Sequence, residues 1–183
     1  MALIVICGAT ASGKSGLSIA LAKEISAEII NADSMQIYRG MDIGTAKLTV
    51  AEREEIPHHL LDILDVTEDA NVASYQQLAR TKIDELQTAG KNVIIVGGTG
   101  LYIKAIIDEL NFPERDIEVR DRIDKEATEL GAVEMHKRLQ LLDPIAAAKI
   151  PANNLRRVVR ALEVIELTGA PFTAQLPRED VDH

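Results

Sequence analysis

Apolar residues follow two alternating patterns through the first two-thirds of the chain. Short unbroken runs, Leu3-Ile4-Val5-Ile6-Cys7, Glu28-Ile29-Ile30-Asn31-Ala32-Asp33 and Val93-Ile94-Ile95-Val96, predict three buried strands. Between and after them, apolar residues recur at helical spacing: Leu17, Ala20, Leu21 and Ile25; Tyr75, Leu78, Ala79, Ile83 and Leu86; Leu101, Ala105, Ile106 and Leu110. Such alternation belongs to the α/β class, a parallel sheet wrapped by helices. Thr49 and Glu52 have the spacing of a capping box for a short helix that Pro57 must end. Ser74 and Gln77 repeat that spacing ahead of the next helix, which Gly90 closes.

From Pro113 onward the pattern is helical throughout, carried by Val119, Ile123, Ala127 and Leu130, then Met135, Leu139 and Leu142, then Leu155, Val158, Val159, Leu162 and Ile165. The last helix is expected to start after Asn153 or Asn154 and to end near Gly169, with Pro171 as a stop and only short polar residues beyond. Two regions are therefore expected, residues 1–112 as an α/β core and 113–183 as helices.

Composition narrows the functional classes. The 183 residues are 46% hydrophobic but only 3% aromatic, with no Trp, so the core is aliphatic and no aromatic platform exists for stacking several bases. A formal net charge of −9 opposes non-specific nucleic-acid binding, and any RNA contact needs a local basic face. The single cysteine, Cys7, lies in an apolar run and is expected to be a small buried thiol without a disulfide partner in the chain. The N-terminal apolar run is too short to span a membrane and lacks the marks of a signal peptide, which implies a cytoplasmic protein with no membrane partner.

Gly8-Ala9-Thr10-Ala11-Ser12-Gly13-Lys14-Ser15 fits G-x-x-x-x-G-K-[ST] and lies between a predicted strand and a predicted helix, the context that gives this P-loop pattern its meaning. Glycines let backbone amides converge on phosphate oxygens, the helix start adds N–H groups and a positive dipole end, Lys14 adds a point charge, and Ser15 offers a hydroxyl to Mg2+. The motif serves ATP and other nucleotides and does not say what the phosphates are attached to. The third strand ends Val96-Gly97-Gly98-Thr99 without the carboxylate that P-loop kinases and ATPases often carry there. In a doubly wound sheet, Asp33 after the second strand and Thr99 after the third face the same crevice as Lys14. On the residues alone, Asp33 is equally a turn residue and Thr99 a helix cap.

Four segments in order, Gly8 to Ser15, Asn31 to Lys47, Pro57-His58-His59-Leu60-Leu61-Asp62 and Gly97-Gly98-Thr99-Gly100-Leu101-Tyr102, followed by Arg156-Arg157-Val158-Val159-Arg160-Ala161-Leu162-Glu163-Val164, resemble the tRNA dimethylallyltransferases, also called tRNA isopentenyltransferases. The resemblance implies a P-loop NTPase-like sheet with helices on both faces and an appended all-helical region. It implies transfer of a dimethylallyl group from dimethylallyl diphosphate to the exocyclic amine of the adenosine 3′ of a tRNA anticodon. Asp33 would then be the general base, helped by Thr99, with the diphosphate on Gly8, Ala9, Thr10, Ala11, Ser12, Gly13, Lys14 and Ser15. Asp33, Ser34, Met35, Gln36 and Thr99 would lie at the tRNA, and Arg120, Arg156, Arg157 and Arg160 would meet the anticodon stem-loop. From the charges alone, those arginines are equally a solvated helix face partnered by Glu163. Family members continue for roughly a hundred residues more, return to the sheet and act as monomers at full length, so the resemblance implies an open edge on the first strand here and doubtful turnover. An adenylate dimethylallyltransferase, a non-catalytic phosphate- and RNA-binding remnant and a small-molecule kinase are the other readings.

Overall fold

A computed structural model describes residues 1–108, 110, 112–113 and 116–175, the side chains of 174 and 175 aside. The chain divides into two compact units, Met1–Glu109 and Leu110–His183.

The first unit is an α/β layer structure. Strands β1 (Leu3–Cys7), β2 (Ala27–Asn31), β3 (His58–His59) and β4 (Asn92–Gly97) form a parallel sheet in the order β1-β4-β2-β3. The register Ile4, Ile94 and Ile29 lines one row, and Val5, Ile95 and Ile30 line the next. Because successive side chains alternate faces, the first row packs with Ile19 and Ala22 of helix α1 (Lys14–Ile25). The second packs with Tyr75, Ala79 and Ile83 of α2 (Val72–Thr88) and Tyr102, Ile103 and Ile106 of α3 (Gly100–Ile107). Helices thus cover both faces, as expected.

Several expectations need correction. Strand β3 is too short to show as an apolar run; it exists because Ile29 N–H donates to the Pro57 carbonyl and His58–His59 then pair with Ile29–Ile30. The helix expected after Thr49 does not form. Its capping box does, with Thr49 N–H donating to Glu52 Oε2 (2.8 Å), but left-handed backbone at Glu54 (φ 50°) and Glu55 (φ 63°) ends it within a turn. Helix α2 is capped by Asn71, whose side chain accepts from Ser74 N–H at 2.8 Å, one turn earlier than the Ser74 cap that spacing suggested. In α1, Leu17 is 59% exposed while Ile19 and Ala22 are buried, because apolar residues surround that helix and spacing alone does not choose a face. Leu78, Leu101, Leu130 and Leu142 also point to solvent.

Strand β1 pairs only with β4, so among the described residues its other side has no strand partner. That explains why Leu3 is exposed, why Ile4 to Ile6 are only half-buried, and why Cys7 is exposed rather than buried: it is the last residue of an edge strand, opposite a glycine.

In the second unit, α4 (Ile117–Leu142) bends at Gly131, where φ is 77° and ψ is 169°, and is followed by α5 (Pro144–Lys149) and α6 (Leu155–Thr168). Asn154 caps α6 and Gly169 ends it in the left-handed conformation, as expected. Ile123, Ala127, Met135, Leu139, Ile150, Val158 and Leu162 form its core. Asp143 caps α5 through Ala146 N–H and also accepts from the backbone and hydroxyl of Thr173, fastening the 3-10 turn Phe172–Gln175. The expected polar tail from 176 lies outside the described residues.

Candidate functional site

Three strand ends meet at one edge of the first unit. The Gly8–Ser15 loop leaves β1, and α1 starts from Gly13 in left-handed backbone (φ 83°) with no side-chain cap, so no cap side chain competes for the first-turn N–H groups. The Lys14 side chain folds back over the loop, its Nζ donating to the Ala9 carbonyl at 2.6 Å. A Cβ on Gly8 would lie 3.9 Å from Lys14 Cδ, and one on Gly98 only 3.6 Å from the Gly8 carbonyl, so the end of β4 adjoins the loop. The end of β2 is closer still. A Cβ on Gly97 would lie 2.1 Å from the Ala32 carbonyl oxygen, a collision only glycine avoids.

That close approach places Thr99 against Ser34. Thr99 N–H donates to the Ala32 carbonyl (3.2 Å), and its Oγ1 accepts from Ser34 N–H (3.0 Å) while donating to Ser34 Oγ (3.3 Å). The Thr99 hydroxyl makes no cap bond to α3, although the residue occupies the cap position. Asp33 is half-buried. Its Oδ1 accepts from Met35 N–H at 2.9 Å, the geometry of an Asx turn, and Oδ2 makes no hydrogen bond among the described residues. Buried Asn31 fixes the turn from beneath: its Oδ1 accepts from Asp33 N–H and its Nδ2 donates to the Asp33 and Leu60 carbonyls, each at 3.1 Å. Tyr75, stacked on Tyr102 with ring centroids 3.9 Å apart, donates its hydroxyl to the Asn31 carbonyl at 2.9 Å, and burial pushes that phenol's pKa well above its usual value.

The loop beyond Asp33 is organised by Lys47. Its buried ammonium donates to the Tyr38 carbonyl and to Asp62 Oδ1, both at 2.6 Å, and lies 2.9 Å from Asp42 Oδ1. Burial alone would lower its pKa, but the two carboxylates outweigh that and raise it, so it stays a cation. Gln36 joins the same frame through the Thr45 carbonyl (2.8 Å), whereas Met35 is 45% exposed at the crevice rim.

In the second unit the four predicted arginines separate into two pairs. Arg156 and Arg157 are exposed on α6. Arg120 and Arg160 converge on Glu163, which is fully buried: Arg120 Nη1 lies 3.3 Å from Oε2 and Arg160 Nη1 lies 2.8 Å from Oε1. Arg120 also meets Asp124 at 2.7 Å, and Arg160 donates to the Pro113 carbonyl at 3.2 Å. The helix face is therefore not a plainly solvated one, since its acidic partner is sealed beneath the guanidinium groups.

The family model for IPP transferase matches residues 36–182. The chain belongs to that family. It is 58% identical over 178 residues to a tRNA dimethylallyltransferase of Streptomyces griseus, a match that covers 97% of this chain and 57% of that one. A full-length tRNA isopentenylpyrophosphate transferase from Bacillus halodurans is 46% identical, with a TM-score of 0.59, over 93% of this chain and 57% of the other. A eukaryotic dimethylallyltransferase acting on tRNA, 32% identical, superposes with a TM-score of 0.82 over 95% of this chain and 44% of the other. The chain spans little more than half the length of the curated relatives it matches. Among the described residues, no helix is long and apolar enough to cross a membrane.

Of the supporting residues of this chain, Asn31, Lys47 and Asp62 are visible in the sequence only as parts of the family-like segments, Tyr75 only as an apolar position of a helical repeat, and Glu163 only as a surface partner of the arginines; none shows by itself what it holds in place. Of the whole set only Gly97, a glycine at a strand end, advertises a close backbone approach. No group of three His, Cys, Asp or Glu side chains that could cage a metal occurs among the described residues. The donors present, the Ser15 hydroxyl above all, instead suit an ion that keeps most of its shell as water and phosphate oxygen, as Mg2+ does.

Proposed function

We propose that this chain carries the diphosphate site and the base of a tRNA dimethylallyl transfer, in which the exocyclic N6 of an adenosine attacks the terminal carbon of dimethylallyl diphosphate. The C–O bond to diphosphate breaks, its electron pair leaves with the diphosphate, and the amine proton passes to Asp33. The observation that supports this reading is the meeting of three strand ends: Gly98 adjoins the Gly8 carbonyl, Thr99 bonds Ser34, and Asp33, next to Ser34, keeps one carboxylate oxygen without a hydrogen bond among the described residues.

Lys14 and the first-turn amides of α1 stabilise the leaving group as its charge grows, in a frame that needs no reorganisation. The Asx turn and Asn31 hold Asp33 so that Oδ1 is occupied and Oδ2 faces the acceptor amine. Thr99, tied to Ser34, positions the adenine edge, and Ser34, Met35 and Gln36 line the rim. Mg2+ held at Ser15 and the diphosphate would supply charge neutralisation there. The target base must leave its stack to enter. Arg120, Arg156, Arg157 and Arg160 supply the local basic face for the anticodon stem-loop on a chain of net negative charge.

Incubation of the purified chain with dimethylallyl diphosphate, Mg2+ and unmodified tRNA, followed by nucleoside analysis, tests the reading. Prenylated adenosine in tRNA is the expected product. Prenylation of AMP with none in tRNA would move the assignment to a free-nucleotide enzyme, and ATP turnover without any allylic diphosphate would move it to a kinase.

A further inference from the structure

Glu163 is a fully buried carboxylate on α6, and its only partners among the described residues are two guanidinium groups, those of Arg120 on α4 and Arg160 one turn earlier on α6. We propose that Glu163 is a positioning residue that holds Arg120 and Arg160 as a fixed pair for one stretch of RNA backbone phosphate. The proposal rests on the reading of these arginines as RNA contacts.

A buried ion pair is a costly way to build a core, and packing alone would favour an apolar residue among Val158, Val159, Ala161 and Leu162. What the carboxylate adds is geometry. Asp124 and Glu163 hold Arg120 from two sides, and the Pro113 carbonyl holds Arg160 by a hydrogen bond while its Nη1 lies 2.8 Å from Glu163 Oε1 as an ion pair without hydrogen-bond geometry. Arg120 and Arg160 nevertheless keep side-chain exposures of 31% and 25%, so part of each side chain stays at the surface, while Arg160 Nη1 itself is buried against Glu163 and makes no hydrogen bond. Burial opposes the charge on Arg120, but Asp124 and then Glu163 outweigh it and hold its pKa above the ordinary value. Arg156 and Arg157 stand exposed on α6, within one turn of Arg160.

The sign of the effect makes the proposal testable. Glu163→Gln makes the chain one unit less acid, which by long-range electrostatics should tighten RNA binding. If Glu163 positions the arginines, binding instead weakens. Fluorescence anisotropy of an unmodified anticodon stem-loop against the 183-residue chain is expected to give a dissociation constant raised by at least about 10-fold for Glu163→Gln. The slope of log affinity against log salt should flatten by about 0.7 for each phosphate that the pair no longer neutralises. Arg120→Lys keeps the charge but removes the planar fork, at a partly exposed position where the change does not threaten folding; it should weaken binding at least 3-fold. Arg122→Lys, two residues along α4 and paired with Glu126 and Glu166, should not. Unchanged or tighter binding by folded Glu163→Gln overturns the proposal. If that variant does not fold, unchanged binding by Arg120→Lys overturns it in the same way. A wild-type chain that fails to bind the stem-loop removes the RNA reading itself, and the pairing role with it.

Discussion

The two units hold their candidate functional residues by opposite means. In the α/β unit, Asp33, Ser34 and Thr99 are fixed by hydrogen bonds that involve backbone N–H groups and by the contact of Gly97 with Ala32, and ions enter only further along the loop, at Lys47. In the helical unit, Arg120 and Arg160 are fixed by ions, Glu163 and Asp124. Backbone fit is steep in distance but indifferent to salt, whereas charge networks tolerate small shifts and respond to pH and ionic strength. Under the proposed function, a crevice that would align an amine, a carboxylate and a leaving group suits the first way, and a surface that would grip a polyanion whose charge is spread over many phosphates suits the second.

The comparison breaks most visibly at Gly97. A Cβ there drives into the Ala32 carbonyl, so Gly97→Ala should destabilise the α/β unit by about 3 kcal/mol, the upper range for overpacking, and abolish diphosphate binding. Thermal melts followed by circular dichroism would measure it. A variant that melts with the wild type would show that strands β2 and β4 can separate without cost.

Next is Asp33→Asn. In whatever length of chain supports turnover, the amide keeps the Asx turn but cannot accept a proton, so prenyl transfer should fall at least about 100-fold while tRNA affinity stays within a few-fold. Steady-state kinetics with tRNA varied separates the two effects; near-normal turnover would leave Asp33 as a turn residue only.

Lys14→Ala tests the anion cradle. Removing one charge-assisted contact from a site otherwise made of neutral amides should weaken the allylic diphosphate roughly 10-fold, read by isothermal titration, with little change in melting temperature. Equal affinity would move the phosphate elsewhere.

Asp143 gives the smallest effect and the clearest pH signature. Burial raises its pKa, but hydrogen bonds from Ala146 and Thr173 outweigh that and leave it below its ordinary value of 3.8. Because the folded pKa is the lower one, its contribution is fully present above the unfolded value and is lost as pH falls through the folded one. Asp143→Asn should therefore cost about 1 kcal/mol at neutral pH, and the gap to wild type should close in acid below pH 3.8. A pH-independent gap would mean that the side chain acts through shape alone.

Much of this protein was legible along the chain, because local rules determine it. Continuous apolar runs pointed to strands, and β1 matches the expected Leu3–Cys7 residue for residue, although as an edge strand it is only half-buried. The P-loop pattern of Gly8–Ser15 stands out for a local reason as well, since glycines, a lysine and a serine at those spacings suit a backbone bent around an anion. The caps of α6 follow from Asn154 and Gly169 for equally local reasons. Long-range packing settled the rest. That Cys7 is exposed depends on β1 lying at a sheet edge, and that β3 exists depends on Pro57 reaching Ile29. That Glu163 is buried under two arginines depends on how α4 crosses α6, and a sequence pattern that reads charge as surface points the other way. Strand order, edge exposure and the company a buried charge keeps are set by contacts between residues far apart in sequence, so local periodicity carries no record of them.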